Sequence, residues 1–415
     1  MVKKRDFLWN TIGGFVYSLY NAIILMICTR LNGVEIAGIF SISYATGSIL
    51  NAIGDWGIRI FQVTDTDRKY KFEEYLTART IAVFCMLILG FMFVIFSRYT
   101  AEKLFICLIL VCIRVIDNFS ETFQSELQLR DRLDQAGKAL LIRNTIEILS
   151  FFVIDFFTKN VYWAFGGTLL SSIIVFIMYD ARILKKFIKF GKNKRNVFEI
   201  LKECIPLAIS TLVSMYVINA VKYAIDIIND NEIQTYFNIL YMPTFVINLI
   251  SILLIKPFLK SFGEYWNNRE YKKFLKIIIY LILVLAGSTL VIIGICAVLG
   301  IKVLNILYGV NLNNYKLELI LLVVSGFTYA ASTVIFYALG TIRKQKSATI
   351  SYLITAVLAF SISNYFVKQY GMLGATIATN IIMFILMINM TIAFIIGYNK
   401  LKKKREFLLV EKKNI

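Results

Sequence analysis

Arg114, Asp117 and Glu121 follow one another at spacings of three and four residues inside an apolar stretch, with Asn118 alongside. On a helix those spacings put the three side chains on one face, as a cation and two carboxylates in a single polar stripe. An ionisable residue at the centre of a membrane helix costs about 2.5–3.5 kcal/mol on insertion scales, so the stripe must face other helices or water. Its chemistry suits binding of an anion at Arg114 and exchange of a proton or sodium ion at Asp117 or Glu121. The competing reading is a buried ion-pair network that only locks the helix to its neighbours. Lys222 and Asp226, one turn apart in a second apolar stretch, lie roughly 9 Å from the end of their helix, where a lysine can also snorkel. Arg30 adds a cation at a comparable depth, Asp55 and Arg59 stand a turn apart, Lys256 occupies the repeat position of Arg59, and Arg143 and Glu147 form a pair with an anchoring role.

The elements that must hold these residues are membrane spans. The chain of 415 residues is 58% hydrophobic and contains 3 prolines, and its mean hydropathy is +0.71, far from a soluble composition. About 20 apolar residues span a bilayer, and backbone polar groups in lipid must be satisfied internally, so long runs without strand alternation mean a helical bundle rather than a β-barrel. Twelve spans are expected, at 7–31, 36–63, 76–97, 103–124, 139–158, 162–183, 203–228, 233–259, 274–300, 317–340, 348–367 and 372–398. The formal charge of +19 is spread over the loops between them, a topological and lipid-contact pattern rather than a nucleic-acid surface. With no histidine and six cysteines at no metal-type spacing, no metal site is expected. No P-loop or dinucleotide fingerprint is present, so neither cofactor nor enzyme is expected.

Lysine and arginine crowd alternate loops, from the N-terminus through Arg68, Lys69, Arg130, the Lys185–Arg195 cluster, Lys272 and Arg343 to the tail. The positive-inside rule therefore puts both termini in the cytoplasm. The chain also repeats itself. Asn32, Glu35, Ile36, Phe40 and Ile42 recur as Asn229, Glu232, Ile233, Phe237 and Ile239, and Tyr162, Gly166 and Thr168 recur as Tyr370, Gly374 and Thr376. Two parallel six-helix lobes with a central cleft follow, at 1–184 and 203–398, with a basic cytoplasmic connector at 185–202 and a basic tail at 399–415.

Several stretches together resemble one family: NGVEIAGIFSISYATGSILNAIGDWGI with Gly57, the Pro-Leu segment IPLAIS opening span 7, and QYGMLGATIAT at the start of span 12. The chain resembles the polysaccharide repeat-unit (Wzx-like) flippases of the multidrug/oligosaccharidyl-lipid/polysaccharide exporter superfamily. That resemblance implies a MATE-like, two-lobed bundle. By ion-driven alternating access it would move an undecaprenyl-pyrophosphate-linked oligosaccharide across the bacterial cytoplasmic membrane, for O-antigen, capsule or a similar surface polysaccharide. The implied partners are the lipid-linked substrate, membrane lipids, and a polysaccharide polymerase with its chain-length machinery. Under this reading Arg114, Arg59, Lys256, Lys222 and Arg30 recognise the pyrophosphate or acidic sugars, and Asp117, Glu121 or Asp226 couples to the ion. A drug or cation exporter of the same superfamily is the alternative, although its typical span-1 acid is missing between Phe7 and Leu31. A membrane glycosyltransferase or polymerase would need longer outer loops, and the mid-span charges argue against an inert scaffold.

Overall fold

The computed structural model describes residues 4–65, 68–97, 99–186, 195–228 and 230–413, without the side chains of 4–7, 94, 184, 253, 256–257, 260 and 403–413. The described residues form helices and no strand. In order they are α1 (Lys4–Asn32), α2 (Val34–Asp55), α3 (Ile58–Thr64), α4 (Phe72–Phe96), α5 (Ala101–Leu129), α6 (Leu133–Thr158), α7 (Val161–Val175) and α8 (Ala181–Lys185). Then come α9 (Val197–Ile227), α10 (Asn231–Asn267), α11 (Tyr271–Ile295), α12 (Ile301–Tyr308), α13 (Lys316–Thr341) and α14 (Gln345–Lys413). Wide π-helical turns, Phe176–Asp180 and Cys296–Gly300, join α7 to α8 and α11 to α12. Residues 187–194, most of the Lys185–Arg195 cluster and part of the 185–202 connector, lie outside the described residues.

Nine helices among the described residues are long and apolar enough to cross a membrane. One of them, α14, holds two spans, because Gly371 breaks it with φ 52° and ψ −123°. Helices α5 and α6, at 29 and 26 residues, exceed the length a span needs, and their inward charges lower their hydropathy. The twelve expected spans are thereby accounted for.

By internal contacts the chain divides into two compact units, Met1–Met215 with Asp230–Thr235, and Tyr216–Asn229 with Tyr236–Ile415. In the first, α1 runs along α6, while α2, α4 and α7 pack around α5. The α1–α6 approach depends on missing side chains. A Cβ on Gly137 would come within 2.5 Å of the Asn10 nitrogen, so the two backbones touch where small residues allow it. In the second unit α13 is the central helix, packed on α11 and α14.

The break between α2 and α3 decides which charges can meet. Trp56 and Gly57 are both left-handed, at φ 48° and 70°. The Trp56 indole Nε1 donates to the Leu201 carbonyl at 3.0 Å, and a Cβ on Gly57 would sit 2.6 Å from the Leu207 Cβ. Residue 57 therefore needs glycine twice over, for its dihedral and for the close approach of α9. Gly57→Ala is expected to destabilise the protein by about 1–3 kcal/mol, read as a lower thermal midpoint in detergent.

Candidate functional site

Helix α5 carries the polar stripe, and the first unit folds around it. Arg114 is 7% exposed; its Nη1 donates to Asp117 Oδ2 at 2.9 Å, and its guanidinium lies 4.8 Å above the Tyr44 ring. The other Asp117 oxygen, Oδ1, lies 3.0 Å from Arg143 Nη2 on α6. Arg143 is 1% exposed and stands at the centre of the cluster, with Nε 3.8 Å from Glu147 Oε1 and Nη1 3.9 Å from Asp180 Oδ2. Those two separations are ion-pair contacts too long for hydrogen bonds. Asp180 ends the π-helical turn after α7 and accepts a hydrogen bond from the Ser120 hydroxyl at 2.6 Å, which ties α7 to α5.

Two guanidiniums thus meet three carboxylates in a buried cluster. Burying charge is costly unless it is balanced. With all three acids ionised the cluster carries one net negative charge. Glu147 Oε1 and Asp180 Oδ1 have no hydrogen-bond partner among the described residues. Glu147 also borders a cavity of about 10 Å3 shared with Tyr17, Tyr20, Tyr44, Arg114, Asp117 and Asn144, room for about one water-sized occupant.

A second network lies next to the first on α5. Arg79 of α4 is 0% exposed and donates to the Gly54 carbonyl, Asp55 Oδ1, Asn118 Oδ1 and Thr122 Oγ1 at 2.8–3.1 Å. It fastens the end of α2 to α5. Asp55 therefore pairs with Arg79 and not with Arg59, because the left-handed break at Trp56–Gly57 takes residues 55 and 59 off a common helix. Arg59 pairs instead with Glu121, Nη1 to Oε1 at 3.1 Å. That pair is partly solvated and is worth little to stability.

The remaining candidates are spread out. Arg30 is exposed in the last turn of α1. Lys222, 6% exposed, and the half-buried Asp226 belong to the second unit. Lys222 makes no ion pair among the described residues, so the spacing of Lys222 and Asp226 does not become a bridge. The side chain of Lys256 lies outside the described residues. Spacing along the sequence missed Arg79 and Asp180 and gave Arg143 and Glu147 an anchoring role. The available signal was their position inside apolar spans, where any charge must be buried against another.

No protein-family model matches the chain. The capsular polysaccharide biosynthesis protein CapF of Staphylococcus aureus is similar to it, with 23% identity over 405 residues, covering 94% of this chain and 98% of CapF. Two solved structures share the fold at 14% identity. An inward-facing multidrug resistance MATE family transporter of the MOP superfamily superposes with a TM-score of 0.68, covering 93% of this chain and 96% of its own. The lipid II flippase MurJ, in an inward closed conformation, superposes with a TM-score of 0.69, covering 97% and 92%. The described residues are helical, and the chain is a multi-pass membrane protein with a MATE-like fold. The likeness to CapF runs along nearly the full chain.

Proposed function

We propose that the protein translocates an undecaprenyl-pyrophosphate-linked oligosaccharide repeat unit across the cytoplasmic membrane, with both termini cytoplasmic, by ion-coupled alternating access. The product feeds a surface polysaccharide, and a polymerase with its chain-length machinery takes it up. The observation that carries the coupling part is the buried cluster of two arginines and three carboxylates, whose net negative charge would attract a proton or a small cation. The full-length likeness to a capsule biosynthesis protein favours the polysaccharide substrate over a drug.

In this reading Arg114, Arg59, Lys256, Lys222 and Arg30 attract the pyrophosphate or acidic sugars along the path. Asp117, Glu121 and Asp226 are the coupling acids first inferred. Asp117 and Glu121 are each engaged by arginine at hydrogen-bond distance; Glu147, held by Arg143 only at 3.8 Å and with no hydrogen bond to Oε1, joins them as the acid with spare capacity. Arg114→Ala is expected to cut delivery of lipid-linked sugar to the outer leaflet roughly ten- to a hundredfold, the worth of a charged hydrogen bond. Delivery is measured per amount of protein in the membrane, because losing one of the two cations of the buried cluster also lowers stability. Normal delivery by that variant removes Arg114 from the path, and efflux of a cationic dye by the wild type would favour the drug-exporter reading.

A further inference from the structure

We propose that the cavity between α12 and the start of α13 binds the phosphate of an anionic phospholipid headgroup. It measures about 500 Å3, inside the roughly 300–1,000 Å3 range of ligand sites. Lys302 and Lys316 stand on it, Val298, Ile301 and Ile306 supply apolar wall, and none of the lining residues is acidic. Neither lysine makes an ion pair or hydrogen bond among the described residues. Glu318 follows Lys316 by two positions, a spacing that points it to a different side of α13, and it is not part of the lining.

The site is built rather than incidental. The π-helical turn Cys296–Gly300 leads directly into α12, and such turns recur where a helix serves a function. At Gly300 the π-helical turn presses on α13, since a Cβ there would lie 2.7 Å from the Leu319 side chain. Farther along, Asn305 holds the returning loop. Its Nδ2 donates to Asn313 Oδ1 at 3.1 Å, and its Oδ1 accepts from the Leu312 nitrogen at 2.9 Å. The two lysines are thus carried on segments already fixed, which lowers the entropic cost of binding.

Charge and polarity together choose the occupant. Two unpaired ammonium groups with no carboxylate call for an anion, and basic sites between membrane helices take lipid headgroups. The apolar wall is exposed at Val298 and Ile306; it would serve acyl chains and has no use for a soluble anion. The cavity lies at the end of the α11 and α13 pair opposite Lys272, Lys273 and Arg343. By the topology inferred from the basic loops, its lipid comes from the leaflet facing away from the cytoplasm.

The test uses the full chain in nanodiscs holding equal phosphatidylglycerol and phosphatidylcholine, with retained lipid counted by native mass spectrometry. The wild type is expected to keep phosphatidylglycerol in preference. Lys302→Gln with Lys316→Gln should lower that retention roughly tenfold, given the attraction of each lysine for anionic lipid. Lys302→Arg with Lys316→Arg should retain it, as should Lys272→Gln with Lys273→Gln at the opposite end. Unchanged thermal midpoints without phosphatidylglycerol establish that the variants are folded. Equal retention of both lipids by the wild type, wild-type retention by the glutamine pair, or loss in the arginine pair overturns the proposal. So does displacement of the lipid by millimolar inorganic phosphate, which assigns the cavity to a soluble anion. Failure of flipping assays leaves this result untouched, since lipid retention does not depend on the transported substrate.

Discussion

Arg143→Ala is expected to cost about 3–5 kcal/mol of stability, the usual penalty for removing one partner of a buried ion network. Arg143 stands within 4 Å of Asp117, Glu147 and Asp180, at 3.0, 3.8 and 3.9 Å. Its loss leaves Asp117 with Arg114 alone and the other two carboxylates with no cation in the cluster. The excess of negative charge grows from one to two in a site closed to solvent. The measurement is the thermal midpoint in detergent together with the amount of monodisperse protein recovered. Arg143→Lys keeps the charge but cannot present a planar fork to three acids, so it should fall between alanine and wild type. Adding Glu147→Gln to Arg143→Ala should recover part of the loss, because the neutral amide removes one stranded charge. A midpoint for Arg143→Ala within about 0.5 kcal/mol of wild type, the range of ordinary surface changes, would mean that the cluster is solvated and not a buried network.

The spans were legible because length and hydropathy report them directly, and α5 and α6 stayed legible as spans because their charges sit at helical spacings. Arg114 and Asp117 were legible as a pair for the same reason, since they lie three residues apart on one helix. Partner choice between helices was not. Asp55 looked paired with Arg59 until the left-handed residues Trp56 and Gly57 ended α2 between them. Its actual partner, Arg79, reaches across from α4 and carries no sequence signal linking it to residue 55. Asn32 behaves likewise: in the sequence it stands out only as the first residue of the repeat, yet its amide donates to Asp155 Oδ2 at 2.6 Å on a helix 123 residues away. Local periodicity fixes which face of a helix is polar; which other helix meets that face is set by packing, here by backbone approaches such as that at Gly137. The extra residue of the π-helical turn at Phe176–Asp180 redirects Asp180 toward Ser120, a rotation that a regular 3.6-residue period cannot anticipate.

Glu147→Gln is expected to separate coupling from folding. The substitution keeps the shape of the side chain and removes one carboxylate, leaving two guanidiniums with Asp117 and Asp180, a neutral set. Stability should therefore hold or rise, by about 1 kcal/mol, because the substitution removes the surplus buried charge, one of whose oxygens accepts no hydrogen bond. Coupling should behave in the opposite way. If the proton or cation is held where the charge is in surplus, the glutamine variant has nothing to neutralise, and translocation in proteoliposomes should lose its response to an imposed proton or sodium gradient. Asp117→Asn provides the contrast. Asp117 bridges Arg114 and Arg143 through its two oxygens, so the amide leaves both cations short of a partner and should lower the thermal midpoint while also impairing transport. A purely structural role for the cluster predicts the reverse ranking for Glu147, with stability reduced and gradient dependence intact, and that outcome would move the coupling site away from α6. Loss of gradient response at undiminished stability would come from a group whose charge the fold does not need, and Glu147, whose Oε1 accepts no hydrogen bond and whose side chain borders a cavity of about 10 Å3, is the acid of the cluster placed to give that result.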